Sequence, residues 1–520
     1  MTTLKPARKK LPIGIQNFRE IREENHYYVD KTPFIQQLIE EGKYYFLSRP
    51  RRFGKSLLLD TIAELFTGNE ALFKGLHIYN KWDWKTTYPV IRISFGAGIL
   101  QSRNELNRRI ISLLSDNQSA LQISCSDSQD VTHCFAEMIR MAHQQSGQRV
   151  VVLIDEYDKP ILDNLTNPDI AREMRDGLRN LYSVIKEMDA HIQFALLTGV
   201  SKFSKVSLFS GLNNLNDITV DKRYSAICGY TDQNIDQVFA AELEGLDRQK
   251  IKDWYNGYNW TGESVYNPFD LLLLFQKRQF KPYWFETGTP TFLMDLLTKK
   301  QAWLPQLGSL ESDAELLSTF DVNQISIEAL MFQSGYLTID IEENIGDCYF
   351  YKLRFPNKEV YQSLYSSLLR QWTNNPQAEV QQRRSLYQLL LDNRFADMQA
   401  LFTAFFSSIP HDWYRNNPIA QYEGYYASVF YAYFAALGLT IIVEDSTHLG
   451  QIDMTLRFNQ QIYLFEFKVV ELTPKGSALQ QIKDKAYADK YRAEGEPIHL
   501  IGVEFSKEQR SVVGFEVISE

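Results

Sequence analysis

Arg49-Pro-Arg-Arg-Phe-Gly-Lys-Ser56 sets a glycine, a lysine and a hydroxyl in succession just after a short apolar run, Tyr44-Tyr-Phe-Leu47. Bare backbone amides at a helix N-terminus, with a lysine beside them, hold anionic oxygens. In such a loop Gly54 permits close backbone approach and Lys55 reaches the β and γ phosphates of a nucleotide such as ATP. The Ser56 hydroxyl then ligates Mg2+. Arg52 and Phe53 belong to the same nucleotide-contacting stretch. Arg51 and Arg52 stabilise transferred charge or grip a neighbour, and that choice stays open. Arg49 stands where the usual pattern has its first glycine.

About a hundred residues downstream, Val150-Val-Val-Leu-Ile-Asp-Glu156 reads as a buried strand that ends in two acids. Asp155 at its tip suits Mg2+, directly or through water, and Glu156 suits the task of orienting and polarising an attacking water. Thr198 closes a third apolar run, at a position from which a hydroxyl senses the γ-phosphate; a simple strand-end cap is an equal reading.

A second constellation lies near the C-terminus. Gly450-Gln-Ile-Asp-Met-Thr-Leu-Arg-Phe458 and Gln461-Ile-Tyr-Leu-Phe-Glu-Phe-Lys468 flank Asn459-Gln460. A two-residue hairpin loop there pairs Phe458 with Gln461 and sets Asp453 opposite Glu466, β-carbons about 5 Å apart. Lys468 points to the same face. Facing carboxylates repel unless a divalent cation bridges them, and a nearby lysine then holds or polarises a water. That set suits metal-assisted phosphodiester hydrolysis.

These side chains need a scaffold. From residue 44 to 198 short apolar runs at 44–47, 89–94, 150–154 and 192–197 alternate with helical patterns at 56–66, 104–114 and 170–187. The alternation predicts a parallel sheet covered by helices. Residues 225–420 are mainly helical, with a helix-then-hairpin signature over 326–356 that resembles the end of a winged helix. The last hundred residues read as a small α/β domain, with helices near 422–437 and 479–492. The expected boundaries are therefore 1–224, a phosphate-binding α/β domain; 225–415, a helical lid and connector with a winged-helix-like part; and 416–520.

A chain of 520 residues exceeds one ordinary core. Its 29 Tyr and 32 Phe argue for filled cores over extended disorder. A net charge of −9 gives no global attraction to nucleic acid, so any such contact uses local basic patches or metal ions. The four cysteines, Cys125, Cys134, Cys228 and Cys348, form no Cys-x-x-Cys pair and suggest neither a zinc site nor a disulfide framework. No apolar run is long enough to span a bilayer, and the first residues lack a signal-peptide core, so a cytoplasmic location is expected.

With both constellations in view, the chain resembles the AAA-ATPase-like proteins that carry a C-terminal PD-(D/E)xK nuclease domain, common in bacteria and mobile elements. The resemblance spans nearly the whole chain. It rests on Leu11-Pro-Ile-Gly14, Tyr28-Val-Asp-Lys31, the loop at 49–56, Asp155-Glu-Tyr-Asp-Lys-Pro160, Leu208-Phe-Ser-Gly-Leu-Asn213, Trp254-Tyr-Asn-Gly-Tyr258 and Tyr422-Glu-Gly-Tyr425. Arg49 in place of glycine is part of that likeness. The resemblance implies a P-loop NTPase sheet followed by a helical lid and a restriction-endonuclease-like α/β domain. It carries the nuclease pattern onto Asp453, Glu466 and Lys468. It also implies Glu423 as a further metal-site acid and Gln481 as the glutamine typical of that superfamily.

The function it implies is ATP binding or hydrolysis controlling Mg2+-dependent cleavage of DNA or RNA, with Mn2+ as a substitute metal. A homo-oligomer and a genome-defence or mobile-element role are implied by analogy only. Two other classes stay open: a nucleotide-dependent switch or scaffold that binds without cutting, and an ATPase acting on protein.

Overall fold

Five of the six residues in Val150–Asp155 are branched and apolar, and a strand of that composition survives only when covered on both faces. In the computed structural model it does lie inside a sheet. Residues 8–202, 214–287, 293, 294, 296, 297, 304–314, 317, 326–373, 376–408 and 423–520 are described. They divide into two compact units: residues 1–292 with 310–357, and residues 293–309 with 358–520.

In the first unit, helix α1 (Thr32–Glu41) leads into strand β1 (Tyr44–Ser48). Helix α2 (Lys55–Phe66), β2 (Val90–Ser94), α3 (Arg103–Leu121) and α4 (Val131–Ser146) follow, then β3 (Val150–Asp155), α5 (Pro168–Glu187), β4 (Ile192–Gly199) and the two-residue β5 (Asn216–Asp217). The strands form a parallel sheet in the order β2-β3-β4-β1-β5. Because β4 lies between β1 and β3, the loop after β1 and the acids after β3 emerge at the same sheet end, on either side of Thr198. Open parallel sheets gather ligands at that end.

The same unit continues through an aromatic-rich helical stretch that includes α6 (Pro268–Lys277). It ends in a three-stranded sheet of β6 (Glu311–Asp313), β7 (Thr338–Ile345) and β8 (Cys348–Arg354), with helix α7 (Ile327–Ser334) just before β7. The helix-then-hairpin order expected from the sequence is present. Cys125 and Cys134 are joined in a disulfide, a correction to the reading of unpaired cysteines. The start of α4 returns Cys134 to within 5.2 Å of Cys125, Cα to Cα, which the nine-residue spacing alone did not reveal.

In the second unit, helices α8 (Lys358–Thr373), α9 (Pro376–Leu391), α10 (Phe395–Ser408) and α11 (Glu423–Ala436) precede a mixed sheet. Its strands are β9 (Thr440–Thr447), β10 (Gly450–Phe458), β11 (Gln461–Val470), β12 (Ile498–Ser506) and β13 (Ser511–Ser519), with α12 (Ser477–Asp484) between β11 and β12. The order β13-β12-β11-β10-β9 puts β11 at the centre. Phe465 and Phe467 meet Phe430 and Phe434 of α11 on one face; Ile462 and Leu464 join Leu479 and Ile482 of α12 on the other. No helix among the described residues is long and apolar enough to cross a membrane.

Candidate functional site

Gly54 takes φ 96°, a left-handed conformation that favours glycine, and begins α2. The carbonyls of the loop before it are tied down by hydrogen bonds. Lys55 Nζ donates to the carbonyls of Arg49 and Pro50 at 2.8 and 3.0 Å. Trp284 Nε1 donates to the Arg51 carbonyl, and the Gly229 amide to that of Phe53. Phe53 is buried edge-on against Tyr258 and Trp260, while the Arg52 guanidinium lies over Phe269. With the carbonyls engaged, a loop of this form has its amides available for anionic oxygens.

Arg49 explains its own departure from the glycine pattern. Its side chain is 0% exposed and donates to the carbonyls of Ser48, Thr219 and Tyr224 at 2.8, 2.8 and 3.0 Å. It also stacks on Trp260, 4.0 Å from the ring centre. Burial lowers its pKa to about 10. The residue acts as a clamp under the loop, a role that spacing could not disclose.

The start of α2 and the end of β4 converge on Asp155 at the end of β3. Ser56 Oγ donates to Asp155 Oδ2 at 2.5 Å and Thr198 Oγ1 to Asp155 Oδ1 at 2.7 Å. A hydroxyl and a carboxylate oxygen in that arrangement fit a hard divalent cation that keeps part of its water shell. Next to it, Glu156 sits at φ 50°, and burial, then the charge of Asp155, raises its pKa above the usual carboxylate value. Burial lowers that of Lys55. Sequence reasoning did not single out Asp158. It is buried and accepts from the Val200 and Ser201 amides and from Ser201 Oγ, tying the turn after β3 to the turn after β4.

A cavity of about 500 Å³ opens over this cluster. Arg51 to Leu58, Gly96 and Glu156 line it, together with Pro12, Gly14 to Gln16, Tyr230, Pro268 and Leu272. Cationic groups beside apolar and aromatic walls suit a nucleotide, whose phosphates need charge and whose base needs a dry surface. Lys31 and Cys228 also face it.

In the second unit the hairpin register is the one the sequence predicts. Phe458 pairs with Gln461, and Asn459 and Gln460 take φ 50° and 58°. The paired register runs to Met454 and Phe465; beyond it the Asp453 carboxylate accepts from the Phe467 amide at 2.7 Å. Glu466 is 1% exposed; Gln481 Nε2 donates to its Oε1, and Lys468 Nζ lies 3.3 Å from the same oxygen. Asp453, Glu466, Lys468 and Gln481 therefore gather: the first three act on Tyr487 through their charges and Gln481 through a hydrogen bond.

Tyr487 is a site residue that sequence reasoning missed. Its hydroxyl donates to the Gln451 carbonyl at 2.7 Å, and burial raises its pKa. The expected helix near 479–492 stops at Asp484, and Ala486 turns left-handed so that Tyr487 points inward. Glu504 holds the start of α12: its carboxylate accepts from the amides of Lys475, Gly476 and Ser477 and from Ser477 Oγ. Burial pushes its pKa up, but these hydrogen bonds outweigh it, and the net shift is down.

Glu423 opens α11, and its side chain lies outside the described residues. Among the described residues no group of three or more His, Cys, Asp or Glu side chains forms a metal cage. Two carboxylates and a lysine fit a cation only in company with water or substrate oxygens.

A family model for predicted AAA-ATPases matches residues 12–209, and one for the PD-(D/E)XK nuclease superfamily matches residues 421–515. Over 514 residues, 99% of each chain, the sequence is 65% identical to a protein of Azotobacter chroococcum mcd 1 described as an uncharacterized protein in the vnfD 5' region. The chain belongs to the AAA-ATPase-like family with a C-terminal PD-(D/E)XK nuclease superfamily domain. The first match spans the loop at 49–56 and Asp155-Glu156, and the second spans residues 453 to 481. The parallel sheet of the first unit and the α/β character of the second are those the sequence implied.

Proposed function

We propose that this family member binds and hydrolyses ATP in the first unit and uses that cycle to control metal-dependent phosphodiester cleavage of DNA or RNA in the second. The observation that carries the first half is the double engagement of Asp155 by Ser56 and Thr198 beneath the cavity. In this reading the amides of the loop around Phe53 and Gly54, with Arg52 and Lys55, receive the phosphates. Ser56 and Asp155 hold Mg2+, Thr198 reports on the γ-phosphate through Asp155, and Glu156 takes the proton of the attacking water.

The second half is supported by Glu466, Lys468 and Gln481 meeting at one carboxylate oxygen, with Asp453 close by. Mg2+ or Mn2+ would be held by Asp453 and Glu466, with Glu423 as an added ligand, and would supply charge neutralisation at the phosphate. Lys468 positions the water and Gln481 fixes the Glu466 carboxylate. The test is cleavage and ATP hydrolysis measured together in wild type, Lys55→Ala and Asp453→Ala. ATP turnover should be lost only in Lys55→Ala, and cleavage should be lost in Asp453→Ala.

One observation favours a protein partner for the β7–β8 hairpin. It exposes Ile341, Ile345, Tyr349 and Phe350 beside Glu342 and Asp347, while Asp340 and Glu343 pair with Arg354 and Lys352, so the surface is apolar and on balance acidic. Nucleic acid is therefore assigned to the second unit.

A further inference from the structure

Lys31 stands directly before α1, where a positive charge is disfavoured by the helix dipole. Its side chain lines the cavity already assigned to the nucleotide. An ammonium has three N–H donors. Lys31 directs two of them to the Ala226 carbonyl at 2.8 Å and to Asn234 Oδ1 at 3.3 Å, and the latter oxygen also accepts from the Thr231 amide at 3.1 Å.

Among the described residues Lys31 forms no ion pair. The acid beside it is committed elsewhere: Asp30 accepts from the Thr32 amide and hydroxyl at 2.8 and 2.7 Å and from the His77 amide at 2.7 Å. Glu263 and the Cys228 thiol are the other titratable groups that act on it. Holding a partly enclosed cation with no ion-pair partner is unfavourable, and an anion in the cavity offsets that penalty. Enclosure has already lowered the Lys31 pKa to about 8.

We propose that Lys31 is a further nucleotide-contacting cation, beyond Arg52 and Lys55, donating its remaining N–H to a phosphoryl oxygen of the nucleotide in the cavity. This rests on the reading of that cavity as an ATP site. Lys55 and the loop amides grip the phosphates from the sheet side, and Lys31 does so from the segment that precedes α1. A partly enclosed ammonium whose pKa is lowered to about 8 makes affinity depend on pH. Binding needs the protonated form, so affinity is full below about pH 7 and falls as pH rises through about 8.

The experiment is calorimetric titration of ATP, ADP and adenosine into wild type, Lys31→Met, Lys31→Arg and Lys55→Ala, at pH 7 and pH 9. Losing one charge-assisted hydrogen bond should weaken ATP and ADP in Lys31→Met by about 10- to 100-fold. Adenosine should be affected less than threefold, and Lys31→Arg should recover most of the loss. The ratio of wild-type to Lys31→Met affinity should shrink at pH 9. Melting without nucleotide, unchanged or raised in Lys31→Met, separates this from a folding defect. Equal ATP affinity in wild type and Lys31→Met would overturn the proposal while leaving the ATP site standing. So would an equal loss for adenosine. Wild type that binds no ATP would overturn the nucleotide reading itself, and Lys31 with it.

Discussion

Arg49 and Trp260 form a stack beneath the phosphate-binding loop, guanidinium carbon to ring centre 4.0 Å, with the arginine wholly buried. The pair replaces a freely turning glycine by a clamp. Arg49→Gly would restore the usual loop pattern, yet it removes three donor–carbonyl bonds and the stack. The expected result is ATP affinity weakened by about tenfold or more, with Arg49→Lys giving no full rescue, because an ammonium cannot serve three carbonyls and an indole face in one plane. Nucleotide titration of the three proteins checks this, and tighter binding in Arg49→Gly would remove the clamp from the account.

Glu156→Gln should keep ATP binding near wild type and lower turnover by about a hundred- to ten-thousand-fold, the range for loss of a general base. The pKa of Glu156 is raised by burial and by Asp155, so the base is lost to protonation at a higher pH than an ordinary carboxylate. Turnover should therefore decline on acidification before the common carboxylate range is reached. A single-turnover pH profile reads this directly.

Much of both sites was legible because it is local. Glycine, lysine and hydroxyl follow one another along the chain, the acids end an apolar run, and two turn residues set the hairpin register. Period and turn chemistry report such features without knowledge of the fold. Arg49, Asp158, Tyr487 and Glu504 were not legible, since each acts through groups far along the chain. Nothing near Arg49 announces Trp260, and nothing near Glu504 announces the amides of 475–477. Helix α4 had a signal that was passed over: Cys134, Phe135, Met138, Ile139 and Ala142 fall at helical spacing on a buried face.

Glu504→Ala should destabilise the second unit by about 1–3 kcal/mol, because the amides at 475–477 lose their charged acceptor. The folded pKa of Glu504 is lowered, so its contribution is present above the unfolded value of about 4.3 and is lost as pH falls through the folded value. Wild type should lose stability on acidification in that window, and Glu504→Ala should lose less. Thermal melting across pH 3 to 7 gives both numbers.

Tyr487→Phe keeps the ring and removes the hydroxyl that donates to the Gln451 carbonyl. Cleavage should fall by about threefold to thirtyfold, with metal dependence retained, as expected for one hydrogen bond of about 0.5–2 kcal/mol that holds a strand end in place. Gln481→Ala should cost more, since Gln481 bonds Glu466 itself. A metal titration of cleavage rate separates the two.

The central claim is that two sites in one chain act together, and cleavage of mixed DNA and RNA with Mg2+ or Mn2+, with and without ATP, tests it most directly. Wild type should cut in response to ATP, Asp453→Ala should not cut under any condition, and Lys55→Ala should lose the response to ATP. ATP hydrolysis that persists while no substrate is cut under any condition would contradict the nuclease half and leave a nucleotide-driven switch in its place.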